Sequence, residues 1–202
     1  MFKKLLLFSL FALTINAQTV NSIVQKIQIK FASVSDLKAD FTQKIISSMS
    51  DSPITLNGKF YFKKDDKIRI EISDRTILSD GITIWNHDQN ANKVIISHYD
   101  SDYTNFSLPV IINSYPDICE KELVESQSGL TIIKLTPIDD QLNFKSALIS
   151  IDKNDMIEKV EITDFNDMRF LFKLDSIEVN NKLSDQFFSF EASEGVEIID
   201  LR

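Results

Sequence analysis

The side chains best suited to chemistry are few and poorly placed for it. His87 and His98 are the only histidines. They fall in or beside one predicted hairpin, without the i, i+3 or i, i+4 spacing that would let two imidazoles share a metal. Cys119 is the single cysteine, so no internal disulfide can form. As a lone thiol it reads better as a small buried hydrophobe than as a nucleophile. The acidic pairs Asp65-Asp66 and Asp139-Asp140 lie in turn-like segments, where solvated loops explain them better than general acid–base work. The chain contains no HExxH, no GxSxG, no CxxC and no glycine-rich phosphate loop. The expectation is a protein that is not an enzyme and holds neither metal nor cofactor.

What the chain has instead is patterned apolar surface. Val20, Ile23, Val24, Ile27 and Phe31 recur at helical spacing, with Thr19 placed as N-cap. From Leu37 onward the period changes to two. Leu37, Ala39 and Phe41 alternate with Lys38, Asp40 and Thr42, Phe60 and Phe62 with Lys59, Tyr61 and Lys63, and Ile68, Ile70 and Ile72 with Lys67, Arg69 and Glu71. Val160 and Ile162, then Phe170, Phe172 and Leu174, continue the pattern. Such alternation describes antiparallel strands with one apolar and one wet face. The connectors agree, since Lys64-Asp65-Asp66, Asp80-Gly81, Gln89-Asn90-Ala91-Asn92, Lys153-Asn154-Asp155, Asn166-Asp167 and Asn180-Asn181 are turn chemistry. One stretch, Asn105 to Ile112, is apolar without alternating. Ser107 and Pro109 suit a helix start there, and Tyr115-Pro116 a helix stop.

These elements predict one mainly β domain with a helical lid, an α+β fold in which a curved antiparallel sheet encloses an apolar cavity covered by short helices. The chain has 15 phenylalanines against four tyrosines and one tryptophan, and on composition alone a filled core is the better account of them. The cavity is favoured because a long meander must curl to hide its apolar face, and only about two short helical segments are available to cover it. The expected wall is Phe41, Phe60, Phe62, Ile68, Ile70, Trp85, Phe170 and Phe172. The expected lid is Val24, Ile27, Phe106, Leu108, Val110 and Ile111.

The first residues read as an address, not as fold. Lys3 and Lys4, an apolar run from Leu5 to Leu13, and Ile15-Asn16-Ala17 form the three regions of a cleaved secretory signal peptide. That predicts cleavage after residue 17, a mature domain of residues 18–202, and export to the periplasm. Losing two lysines and no acid takes the formal charge from −8 to −10. A chain so acidic repels nucleic acid and anionic membrane surfaces, so any encounter with a membrane is expected to run through a protein partner.

Four segments together resemble the LolA-type outer-membrane lipoprotein carrier family. They are Ala39-Asp40-Phe41-Thr42-Gln43, Gly58 to Lys64, the SDGxTxW-like Ser79 to Trp85, and the tail from Phe188-Ser189-Phe190 through Gly195-Val196 to Asp200-Leu201-Arg202. The resemblance covers nearly all of the mature chain. It implies a half-open barrel closed by helices, and a monomer that binds lipoprotein acyl chains. Such a carrier moves its cargo from an inner-membrane ABC exporter to an outer-membrane acceptor. A lipid carrier for some other amphiphile, or an envelope sensor, stands as the alternative. Well-known members carry an arginine followed by proline where this chain has Lys64 and Asp65, and that arginine bonds to the lid. Lys64 is therefore the candidate lid latch, a point charge in place of a planar fork.

Overall fold

The computed structural model describes residues 19–47, 52–99, 107–127, 129–139 and 142–202. A helix, α1, occupies residues 19–32. Six strands follow as a meander: β1 (Asp36–Ile46), β2 (Ile54–Lys63), β3 (Lys67–Ile72), β4 (Arg75–Asp80), β5 (Thr83–Asp88) and β6 (Lys93–His98). A second helical segment, α2, covers residues 108–118. Five strands form a second meander: β7 (Cys119–Gln127), β8 (Leu130–Pro137), β9 (Ser146–Ile151), β10 (Ile157–Thr163) and β11 (Arg169–Val179). The chain then crosses the sheet through a 3-10 turn, Asp185–Phe188, to a last strand, β12 (Glu197–Asp200).

All twelve strands form one sheet in the order β12-β6-β5-β4-β3-β2-β1-β11-β10-β9-β8-β7. Every pairing is antiparallel except β12 on β6. The two meanders join where β1 lies antiparallel to β11, while β7 and β12 are left as edges. The turn chemistry does what the sequence implies. Lys64, Asp65 and Asp66 make the tight connection from β2 to β3, and Asp65 and Asp66 both have positive φ, 67° and 55°. Asp152 and Asp164 each fold back on a turn, Asp152 Oδ1 accepting from Asn154 and Met156 and Asp164 Oδ1 from Asn166 and Met168. Asp36, 2% exposed, does the same over a longer range. Its carboxylate accepts the backbone N–H groups of Asn181, Lys182 and Leu183, pinning the corner after β11 to the start of β1.

One departure from expectation lies in α2. Tyr115-Pro116 does not end the helix, which continues to Ile118. Val110–Ser114 is wound as a π-helix, the Tyr115 N–H reaching the Val110 carbonyl, and Tyr115–Ile118 then forms an α turn. Pro116 sits in the first turn of that last piece, a position that suits proline. Nor is Ser107 a side-chain cap: its carbonyl accepts from Ile111, and its buried hydroxyl has no partner among the described residues.

Candidate functional site

Cross-strand register decides which side chains share a face, because partners in a ladder point the same way. Leu37, Phe62 and Ile68 form one row, Ala39, Phe60 and Ile70 the next, and Phe41, Gly58 and Ile72 a third. On the other side of β1, Phe41 is opposite Leu174, while Phe172 lies opposite Val160 and Phe170 opposite Ile162. Ile149 and Ile133 extend the Val160 row toward β7. This is the concave face. Phe41, Phe60, Phe62 and Ile68 are buried there, and Phe170 and Ile70 are partly buried against them. The Phe41 ring stands 6.5 Å from Phe60 and 6.3 Å from Phe172. Seven of the eight expected wall residues therefore converge on one continuous apolar floor.

Trp85 does not join them. Its ladder partners are Leu78 and Ile96, and Leu78 is itself opposite Arg69, which is opposite Tyr61. That row points away from the concavity. The outer face of β2–β6 is apolar in its own right, with Leu78, Val94 and Ile96 buried on it. A polypeptide strap after β11 covers it. Phe188 is fully buried there, Phe187 meets Tyr61 edge-on at 4.9 Å, and Phe190 lies 5.1 Å from the His87 ring. His87 is thus a half-buried packing residue on this second core, with its Nε2 unpartnered among the described residues.

The strap is bolted down electrostatically. Asp185 pairs with Lys63 and Lys67 at 2.6 and 3.0 Å, and hydrogen bonds from these two lysines hold its carboxyl below the ordinary range. Lys63 also donates to the Leu183 carbonyl. Arg69 donates to the Phe187 carbonyl and places its guanidinium 4.5 Å from the ring centre. The tail ends with Arg202 on Asp200, whose carboxyl this contact lowers to about 2.

Helices cover the concave face. Val20 and Ile27 of α1 and Leu108, Ile111, Ile112 and Tyr115 of α2 are buried in the core, and Ile23, Val24, Phe31 and Val110 pack against it. The Phe31 ring packs on Phe62 at 5.1 Å. Every expected lid residue in the described part lies in this cover, while Phe106 falls outside the described residues. The helical cover expected over the apolar face is present, and no roomy cavity is seen beneath it among the described residues. Among the described residues, α1 and α2 lie on the concave face, and two apolar gaps there are small, about 10 and 20 Å³, each lined by Ile27, Ile112 and Ile157 among others. Each gap is no more than water-sized. Cys119 is buried beside this cover, and desolvation pushes its thiol up to about 11, which keeps it protonated and unreactive.

Polar ties on the cover are sparse. The Gln28 side chain donates to the Ile112 carbonyl at 3.2 Å, joining α1 to α2. Lys64 Nζ donates to the Ala32 carbonyl at 2.9 Å, at the C-terminal end of α1, where a cation also meets the negative pole of the helix. The position singled out for a latch thus touches the cover. The SDGxTxW-like segment supports it from beneath. Asp80 Oδ1 accepts from Ile82 and Thr83, and Ser79 Oγ accepts from Gly81. Gly81, at φ 92°, passes so close to Asp65 that a Cβ would sit 2.2 Å from its carbonyl oxygen. The motif is a buttress for the β2–β3 turn that carries Lys64. Arg202 reaches Thr83 of the same motif at 3.5 Å, so the tail signature ends at this corner too.

A family model described as outer membrane lipoprotein carrier protein LolA matches residues 32–191. The outer-membrane lipoprotein carrier protein of Haemophilus influenzae is 26% identical over 180 residues, covering 88% of this chain and 86% of its own length. That of Chromohalobacter salexigens is 24% identical over 193 residues, covering 93% and 91%. Among solved structures, an uncharacterised conserved protein from Thermus thermophilus superposes with a TM-score of 0.58 at 12% identity, covering 90% of this chain and 99% of its own. That last likeness concerns the fold alone.

Proposed function

Because this chain belongs to the LolA family of outer membrane lipoprotein carrier proteins, we propose that it is a periplasmic carrier that takes the acyl chains of lipoproteins onto its concave face when α1 and α2 swing aside. One observation carries the proposal: a continuous apolar floor from Ile68 through Phe60 and Phe41 to Phe172 is covered by two helices that few polar contacts hold down. In this reading the carrier works as a monomer. It receives cargo from an inner-membrane ABC exporter and yields it to an outer-membrane acceptor. The leader-like residues 1–17 and the names of the relatives support the route.

Magnitudes explain why such a carrier would have a filled interior. At ~0.8 kcal/mol per CH2, one buried acyl chain gains about 10 kcal/mol. Six buried cover side chains, at roughly 1.5–3 kcal/mol each, come to roughly 9–18 kcal/mol, the same order. Exchanging one for the other offsets most of the gain, so cargo binds without becoming trapped. An interior that stood permanently open would hold lipid too tightly to release it.

Titration with a fluorescent fatty acid tests the proposal. Saturable binding is expected. Ile70→Glu, which sets a charge on the floor at a partly buried position, should abolish it while thermal unfolding stays cooperative. Normal binding by a folded Ile70→Glu protein would refute the assignment of the floor.

A further inference from the structure

The two edges of the sheet differ. β12 is four residues long and its end is tied by Arg202 to Asp200 and Thr83. β7 is nine residues long and, among the described residues, pairs only with β8, so one side of its backbone has no strand beside it there. Glu120, Glu122 and Glu125 are exposed along it. Their ladder partners Thr136, Lys134 and Ile132 put all three on the outer face, and none makes an ion pair among the described residues. Lys121 turns the other way and donates to the Pro116 carbonyl of α2. A free edge is a template for another strand. Three carboxylates in a row decide which strand: a second copy of β7 laid antiparallel would bring glutamates against glutamates, whereas a strand bearing lysines or arginines would be drawn in. The bulge between Leu123 and Glu125 limits regular pairing to the first half of the strand.

We propose that β7 is a docking edge for an extended, basic segment of a partner protein, which adds antiparallel to residues 119–123. The edge leaves α2 directly, Cys119 following Ile118, and Lys121 ties the two. A strand seated on β7 therefore bears on the hinge of the cover. That consequence rests on the carrier reading; the docking itself does not, and it can be measured without lipid.

The test uses the full mature chain and two nine-residue peptides, one alternating lysine with valine and threonine, the other with glutamate in place of lysine. Hydrogen exchange at residue resolution is recorded at low salt. The lysine peptide should slow exchange of those amides in 119–123 that do not bond β8, and bind at least tenfold tighter than the glutamate peptide. Replacing Glu120, Glu122 and Glu125 together by glutamine should weaken it at least fivefold with unchanged thermal stability. Equal binding of both peptides, protection that falls elsewhere on this acidic protein, or no effect of the triple substitution would overturn the proposal. Failure here with intact fatty-acid binding would remove the docking edge and leave the carrier reading standing.

Discussion

The sheet carries two covers, and they are built on opposite principles. On the outer face of β2–β6, the strap buries Phe188 and is fastened by Lys63, Lys67 and Arg69 to Asp185 and to the Leu183 and Phe187 carbonyls. On the concave face, α1 and α2 rest on many buried apolar side chains, and the described side-chain ties to them are Lys64 to the Ala32 carbonyl and Lys121 to the Pro116 carbonyl, with Gln28 to Ile112 joining the two helices. Apolar contact is non-directional and can be replaced by any other apolar body. Directed ionic and hydrogen-bonded contacts cannot. On the carrier reading we propose, bolting, more than burial, is what separates a permanent layer from an exchangeable one.

The largest expected effects set the two covers against each other. Phe188→Ala should cost about 3–5 kcal/mol of global stability, read from chemical denaturation, and leave fatty-acid affinity unchanged. Ile111→Ala in α2 should cost roughly 2–5 kcal/mol, yet raise fatty-acid affinity at least tenfold, since the competitor of the acyl chain has been weakened. If both substitutions act alike on affinity, the distinction fails. A smaller effect is expected at the latch. Lys64→Ala should change stability by less than about 1 kcal/mol, as exposed hydrogen bonds do, and increase affinity a few-fold; Lys64→Arg should restore the parent value. The smallest effect concerns pH. Lys63 and Lys67 depress the Asp185 carboxyl, so its contribution to strap docking is full above its unfolded pKa and fades as pH falls through the lower folded value. Asp185→Asn should exchange its strap amides faster than the parent at neutral pH, and the difference should vanish in strong acid.

Much of this layout was legible in the sequence. The period-two runs gave the strands, and Asp65-Asp66, Lys153-Asn154-Asp155 and Asn166-Asp167 their turns. Ile23, Val24, Ile27 and Phe31 marked the inner side of α1. Trp85 was misplaced because alternation reveals that a strand has two faces, not which one is concave. In β4–β6 both faces are apolar, as the adjacent Ile95 and Ile96 show. The signal that could have exposed the second core was the cluster Phe187, Phe188 and Phe190 after the last alternating strand, which needs an apolar surface to lie on. The helical cover was legible in Val24, Ile27, Leu108, Val110 and Ile111, but the space left beneath it was not, because a pattern of inward residues does not say how closely helices settle on them. The motif resemblances located the Lys64 corner, but the buttressing of that turn by Gly81 and Thr83 depends on contacts far apart in sequence.

The most direct test of the account is hydrogen exchange of the purified mature chain with and without a saturating fatty acid. Amides in residues 22–32 and 111–118 should exchange faster when the acyl chain is bound, while β1–β3 and the strap stay as protected as before. Unchanged or slower exchange in both helices, with fatty acid demonstrably bound, would show that cargo does not displace the cover and would contradict the account.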